Sequence, residues 1–135
     1  MTMAEKVRHH QMRCAPHLAR LRMLAGGPGG APLRSCAVLQ ITETTGAILA
    51  EVTTAGAGLV AGGQARASAA LLATRLTRLE NAARQMIISA QQGDAAALRE
   101  QIYRFDVLTA AVWTVQLSEC DNRRRPVFVT QPPRP

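Results

Sequence analysis

Apolar residues recur along much of the chain at alternating steps of three and four positions. The first such stretch runs from Val38 to Leu59 and the second from Ala65 to Ala90. This spacing places one apolar stripe along a helix and is typical of the seam of a helical bundle or coiled coil. The two stripes consist of Val38, Ile41, Thr45, Ile48, Val52, Ala55 and Leu59, and of Ala65, Ala69, Leu72, Leu76, Leu79, Ala83, Met86 and Ala90.

Many residues of the first stripe are β-branched, and short runs of such residues can also form strands. The stripe follows a sevenfold repeat over three heptads and not the alternation of a strand, so we predict a helix. A third segment, from Ala95 to about Cys120, has an apolar face that Trp113 and Leu117 widen. Its inward positions are Leu98, Ile102, Phe105, Leu108, Val112 and Val115.

Glycines mark the ends of these segments. Gly62 and Gly63 follow the first stripe and Gly93 follows the second, and glycine readily adopts the left-handed conformation that ends a helix. Asp94 is well placed to cap the next helix, because its carboxylate can accept from the free N–H groups of the first turn. The predicted helices span residues 35–61, 64–92 and 95–120, and each would be about 40 Å long.

Short connections between helices of similar length favour antiparallel neighbours. We therefore predict an all-α fold, an antiparallel up-down bundle of three long helices with basic, flexible termini. Residues 4–25 could add a fourth helix, although Gln11 interrupts its apolar side, which consists of Val7, Cys14, Leu18, Leu21 and Ala25. An alternative to the hairpin stays open: residues 35–92 could form one bent helix, because glycine weakens a helix without forbidding it.

The strongest break in the chain is the glycine- and proline-rich segment 26–32, which is typical of a flexible linker. It divides a basic N-terminal arm (1–34) from the helical bundle (35–120), and an arginine- and proline-rich tail (121–135) follows. The net charge of +7 belongs to the ends, with +5 in the arm, −1 in the bundle and +3 in the tail.

Composition narrows the possible core, cellular compartment and membrane association of the protein. Aromatic residues make up 3% of the chain, so its core must be built from small and aliphatic side chains. Three cysteines without a CxxC pair indicate a reducing compartment, and arginines interrupt the only apolar stretch near the N-terminus. The arginine-rich leader would also suit a mitochondrial transit peptide. Residues 46–65, the most apolar window, include Glu51 and fall short of a membrane span. We predict a cytoplasmic protein.

The residue types that carry chemistry do not form a recognisable site. His10, Cys14 and His17 share one face of the first segment and could bind zinc or copper. His17 lies about 10.5 Å of helix rise beyond His10, too far for both to meet one ion while the helix persists. The chain has no phosphate-binding glycine loop, no GxSxG and no Glu-x-x-His. We predict no metal, no cofactor and no enzyme activity.

These patterns favour a small helical interaction protein: an adaptor, a chaperone or an assembly subunit. Such a protein presents an apolar seam to a helix of a protein partner or of a second copy. A face of small residues, which lets helices approach closely, is a second way to bind such a partner. The residues expected to bind the partner are Leu72, Leu76, Leu79, Met86, Gly58 and Gly62.

A nucleic-acid-associated protein is the alternative. Arg123, Arg124 and Arg125, together with the basic arm, could bind phosphates through counterion release. No aromatic residues accompany these arginines and no helix-turn-helix spacing is visible, so base-specific recognition is not supported. This hypothesis predicts binding to any duplex that weakens steeply as salt is added.

Overall fold

A computed structural model of the chain describes residues 2–25, 37–63 and 69–124. These residues contain no strand, and the all-α bundle that the apolar spacing predicts is confirmed. The predicted linker 26–32 and the tail beyond residue 124 lie outside the described residues. The described residues form four helices: α1 Met3–Ala25, α2 Ala37–Ala61, α3 Ala69–Gln91 and α4 Ala95–Arg124.

The helices pack in a closed arrangement. Each helix packs against the next one along the chain, α4 packs against α1, and α2 and α4 also touch across the bundle. Contacts run in opposite directions along α1 and α2, since His10 meets Glu51 and Cys14, one turn later, meets Ile48. α2 and α3 are separate helices that lie side by side, and not one bent helix.

Reciprocal hydrogen bonds fix the start of α1. The backbone N–H of Thr2 donates to Oε2 of Glu5 at 2.8 Å, and the backbone N–H of Glu5 donates to Oγ1 of Thr2 at 3.1 Å. This capping box satisfies two N–H groups that a helix start leaves free. Pro16 lies inside α1 and has no N–H for the carbonyl of Met12. Met12 is exposed, so water can reach that carbonyl and the break is tolerated.

The connection between α3 and α4 is a tight turn built on Gly93. Gly93 has a φ of +70°, a conformation that side chains with a Cβ rarely adopt. Its N–H donates to the carbonyl of Ala90, and the N–H of Asp94 donates to the carbonyl of Ser89. Asp94 then caps α4, because its Oδ1 accepts from the N–H of Ala97 at 3.0 Å. The predicted stop and cap are both confirmed.

Most described residues of the predicted stripes of α2, α3 and α4 form the core of the bundle or pack against it, and Ala65 of the second stripe lies outside the described residues. In α2 all stripe residues from Ile41 onward are buried, and Val38 packs against the core as a partly buried residue. The buried threonines donate their hydroxyls to backbone carbonyls one turn earlier in their own helices, as Thr45 does to Ile41. The largest fully buried side chains of the core include Phe105, Leu21, Ile41, Ile48, Leu59, Leu79, Met86 and Leu98.

Helix α1, assigned from the sequence to a separate basic arm, contributes to the same core. Val7, Cys14 and Leu21 are buried and belong to the hydrophobic cluster that the other helices share. The basic residues of α1 lie on the exposed side of the helix. Residues 3–25 are therefore part of the bundle.

Candidate partner-binding groove

The predicted partner-binding residues lie in two different environments. Leu79 and Met86 are fully buried between the helices of the bundle, so neither can touch a partner while the bundle stays folded. Leu72 and Leu76 are partly or nearly buried and line a groove between α2 and α3. The α3 seam is thus used mainly inside the molecule, and only its first half reaches the surface.

The predicted small-residue face is at the surface. Gly58 is exposed, and a Cβ added there would meet nothing within 4 Å. Gly62 is exposed just beyond the end of α2, and its N–H donates to the carbonyl of Gly58. Gly58 is therefore not required by a close approach inside the monomer, and neither glycine lines the groove. Both lie close to it along the chain.

The groove has a volume of about 430 Å³. α2 forms one wall, α3 forms the other, and two residues of α4 contribute to the lining. Most of these side chains are small or aliphatic, which leaves the two helices incompletely packed against each other. The lining residues are Val52, Thr53, Gly56, Ala57, Val60, Ala61, Ala69, Leu72, Ala73, Leu76, Val112 and Gln116.

The two helix segments that form most of the groove walls are uncharged, with Glu51 directly before the first and Arg75 directly after the second. Residues 52–61 and 69–74 include no acidic or basic side chain, although Arg66 lies in the connection outside those ranges. Val60 is 51% exposed and Leu71 is 46% exposed. We call these two segments the α2–α3 face. An uncharged face of this kind stands out on a chain with a net charge of +7.

One polar side chain of α4 reaches the groove. Gln116 is 2% exposed, and its Nε2 donates to the backbone carbonyl of Val52 at 3.3 Å. Its Oε1 is buried and has no hydrogen-bond partner among the described residues. Gly56 lies next to this carboxamide, since a Cβ there would stand 3.5 Å from Nε2. Sequence reasoning missed Gln116, because a glutamine in a helix usually faces solvent.

The histidines and the cysteine of α1 do not come together. Nδ1 of His10 pairs with Oε2 of Glu51 at 2.6 Å, and Nε of Arg13 pairs with Oε1 of the same carboxylate at 3.0 Å. Cys14 is buried and its thiol contacts the carbonyl of Ile48 at 3.9 Å. No group of three metal-binding side chains occurs in the part of the chain that the structure describes. The residues of this face instead attach α1 to α2.

Burial governs the chemistry of the Cys14 thiol. Its pKa is raised from an ordinary value of 9.0 to about 12, and desolvation is the largest cause. The negative charge of Glu51 contributes to this rise, and the positive charge of Arg13 opposes it. The thiol is therefore protonated at neutral pH, which suits a packing residue and not a nucleophile.

A second ion pair attaches α1 to α4. Nε and Nη2 of Arg22 both donate to Oδ2 of Asp106, at 2.9 and 2.6 Å. Together with the Arg13–Glu51 pair, it engages two of the five basic side chains of α1. The nucleic-acid hypothesis stays a prediction, because the side chains of Arg123, Arg124 and Arg125 lie outside the description.

A polar groove of about 410 Å³ lies between α3 and α4. Arg78 on α3 and Arg104 on α4 line it, together with three amide side chains, an alanine and Leu108. One of these amides is hydrogen-bonded within the chain, because Oγ of Ser89 donates to Oε1 of Gln101 at 2.7 Å. Most of its lining side chains are charged or carry an amide, in contrast to the groove between α2 and α3.

By length and composition, α2 is the one helix of the described residues that could cross a membrane. Core helices of bundles that never enter a membrane meet the same criteria. One third of its most apolar window is buried inside the bundle. The absence of a membrane span stays a prediction.

No protein-family model matches the chain, and neither a curated protein nor a solved structure matches it. What the chain does must therefore be inferred from its own contacts, burial and charge.

Proposed function

We propose that this chain is a small helical interaction protein that binds another helical surface through its α2–α3 face. The partner to which we commit is a second copy of the chain. The observation that carries this proposal is an uncharged surface with an apolar groove on a protein whose net charge is +7.

Charge favours a second copy on this face. Two copies that meet through the exposed side of α1 bring the basic side chains of that helix together, and this repulsion opposes association. The α2–α3 face has no described charge, so two such faces can meet without this penalty. Burial of its exposed apolar side chains, Val60 and Leu71 among them, then favours contact.

Small side chains on the walls of the groove allow a helix of the second copy to approach closely. Ala57 and Ala61 stand one turn apart on the α2 wall, and Ala69 and Ala73 stand one turn apart on the α3 wall. Small residues at this spacing let the backbone of another helix approach, which increases the dispersion energy of the contact. Val60 protrudes beside them, so in a symmetric pair each copy can place this side chain in the groove of the other.

The area of the α2–α3 face determines the expected affinity of the dimer. Two neighbouring helices about 10 Å apart, each contributing about 15 Å of length, offer on the order of 500 Å² per copy. Stable complexes bury about 800 Å² per partner. We therefore expect a weak dimer that forms at protein concentrations of about 10 μM to 1 mM.

Light scattering coupled to size-exclusion chromatography tests this proposal over that concentration range. The wild-type chain is expected to shift from monomer to dimer, and added salt should preserve or promote the dimer because it screens the repulsion between copies. Ala57→Arg places a charge on the groove wall and should leave the chain monomeric. The matched control is Ala110→Arg, an exposed alanine on the outer side of α4, which should dimerise like wild type.

Two results would overturn the proposal. One is a wild-type chain that stays monomeric up to about 1 mM protein, both at low salt and with added salt. The other is an equal loss of association in Ala57→Arg and Ala110→Arg, which would show that net charge and not the α2–α3 face controls association. Circular dichroism on each variant separates these outcomes from unfolding.

A further inference from the structure

The contact between α3 and α4 differs from the contacts of α1 in how its arginines are neutralised. Where α1 meets α2 and α4, a carboxylate of the neighbouring helix pairs with an arginine of α1. Between α3 and α4, Arg78 and Arg104 line one groove, and none of its described lining residues is acidic. Glu80 and Glu100 flank these arginines in sequence but do not line the groove. Two positive charges placed this way repel each other, so an anion bound between them is favoured.

Neither arginine is engaged inside the molecule. Within the part of the chain that the structure describes, the side chains of Arg78 and Arg104 form no hydrogen bond and no ion pair. Both side chains are exposed, so both guanidinium groups are accessible to a ligand.

The amide side chains of the groove keep their donors available. Oε1 of Gln101 accepts from Oγ of Ser89 at 2.7 Å, and Oδ1 of Asn81 accepts from Nη1 of Arg84 at 3.2 Å. Because these two oxygens are engaged, the NH₂ groups are the ends of the two amides that have no partner among the described residues. Amide donors beside two guanidinium groups favour a ligand that accepts hydrogen bonds and is negatively charged.

We propose that the groove between α3 and α4 binds a small molecule that carries a phosphate monoester, with Arg78 and Arg104 as its ionic partners. A phosphate monoester has a charge of about −1.5 to −2 at neutral pH, so it matches two guanidinium groups. A single carboxylate or a sulfate ester has one negative charge and leaves one arginine without an ionic partner. This inference goes beyond the proposed self-association and involves a different pair of helices.

The dimensions of the groove fit a small phosphate ester. The α3 wall extends from Arg78 to Gln85, and the α4 wall extends from Gln101 to Leu108. Each wall is therefore about 10 Å long at the rise of a helix. The volume of about 410 Å³ is in the range of ligand sites. Because arginine side chains are long, those of Arg78 and Arg104 can turn toward one phosphate held between them, and Leu108 offers apolar contact to the organic part.

Phenyl phosphate and phenyl sulfate test the need for the second negative charge, because the two probes have similar shapes and differ in charge at about pH 7.5. Calorimetry and NMR in phosphate-free buffer at low salt should show that the wild-type chain binds phenyl phosphate about tenfold more tightly. The side-chain amide signals of Gln85 and Gln101 should shift during the titration. The preference should disappear below about pH 6, where the phosphate takes up a proton.

Substitutions then assign the preference to the groove. Arg78→Gln and Arg104→Gln each remove one charge, and each should weaken the binding of phenyl phosphate about tenfold. Arg20→Gln is the matched control. It removes the same charge from an exposed position of α1, whose described residues do not pack against α3, and it should bind both probes as wild type does.

Any one of three results would contradict the phosphate site. They are amide signals that do not shift with about 10 mM phenyl phosphate, equal affinities of the wild-type chain for the two probes, and an equal loss of affinity in Arg20→Gln and in the two groove variants. The last would show that net charge and not the groove attracts phosphate, and circular dichroism verifies that each variant is folded. The groove shares no residue with the α2–α3 face, so light scattering and these titrations can fail independently.

Discussion

Helix α2 contacts α1 on one side and α3 on another, and the two contacts differ in chemistry. Toward α1, Glu51 accepts from both His10 and Arg13, and the thiol of Cys14 meets a backbone carbonyl of α2. Toward α3, the described residues of the two helices share no side-chain hydrogen bond or ion pair. They share instead a groove lined by small and aliphatic side chains.

The difference separates a contact that is complete within the monomer from one that is open. Polar groups between α1 and α2 find partners inside the chain, so this side gains little from a second molecule. The α2–α3 side leaves apolar surface and one amide oxygen without partners. An open, uncharged contact of this kind is where a further molecule gains most.

The largest expected effect compares two leucines of the α3 seam. Leu79 is fully buried, whereas Leu72 is 8% exposed at the groove. Leu79→Ala should lower the free energy of unfolding by about 3–4 kcal/mol, because it leaves a cavity in packed surroundings. Leu72→Ala should cost about 2 kcal/mol or less, since one side of that residue is already open. Urea denaturation followed by circular dichroism measures both, and equal costs would contradict an incompletely packed α2–α3 contact.

The second effect concerns pH on the α1–α2 side. The pKa of the Cys14 thiol is raised to about 12 in the folded chain, from an ordinary 9.0. The stability that this protonated thiol contributes is fully present below pH 9 and is lost as pH rises toward 12. Between pH 7 and pH 10 the free energy of unfolding of the wild-type chain should fall by on the order of 1 kcal/mol more than that of Cys14→Ala. Parallel pH profiles for the two proteins would show that Cys14 is not shielded.

A smaller effect tests the ion pairs of the same side. Glu51→Gln keeps the shape of the side chain but removes its charge, and it should lower the free energy of unfolding by about 1 kcal/mol. The matched control is Glu43→Gln, an exposed residue of the same helix, which should change stability by less than about 0.5 kcal/mol. Both values come from urea denaturation at low salt. If the two variants lose the same stability, the ion pairs of Glu51 with His10 and Arg13 do not stabilise the contact between α1 and α2.

Much of the fold could be predicted because one physical rule governs it. The sevenfold spacing of apolar residues in α2 and α3 identifies which side is buried, and Ile48 and Leu79 are fully buried as expected. The cap at Asp94 could also be predicted, because its side chain accepts a hydrogen bond from the first turn of the helix that it begins. Each of these features depends on residues close in sequence.

The features that sequence reasoning missed depend on residues far apart in the chain. The spacing indicated a possible helix over residues 4–25 with Val7, Cys14 and Leu21 on its apolar side, but not that this side packs against α2 and α4. Arg22 pairs with Asp106, which lies 84 positions away, and no local pattern indicates that contact. The groove is a gap between α2 and α3, and Gln116 of α4 lies at that gap. Spacing along one helix determines which side is buried but not how tightly two helices pack.

Distances between spin labels on two copies test the account most directly. Thr54→Cys and Ala110→Cys each provide one exposed label site, and Thr54 belongs to the α2–α3 face without lining the groove. Both are made in a Cys36→Ser background, where the remaining cysteines are buried. If two copies meet through their α2–α3 faces, labels at position 54 should lie within about 20–30 Å of each other, and labels at position 110 more than about 40 Å apart. A shorter distance at position 110 than at position 54, or no coupling between copies at either position, would contradict the account.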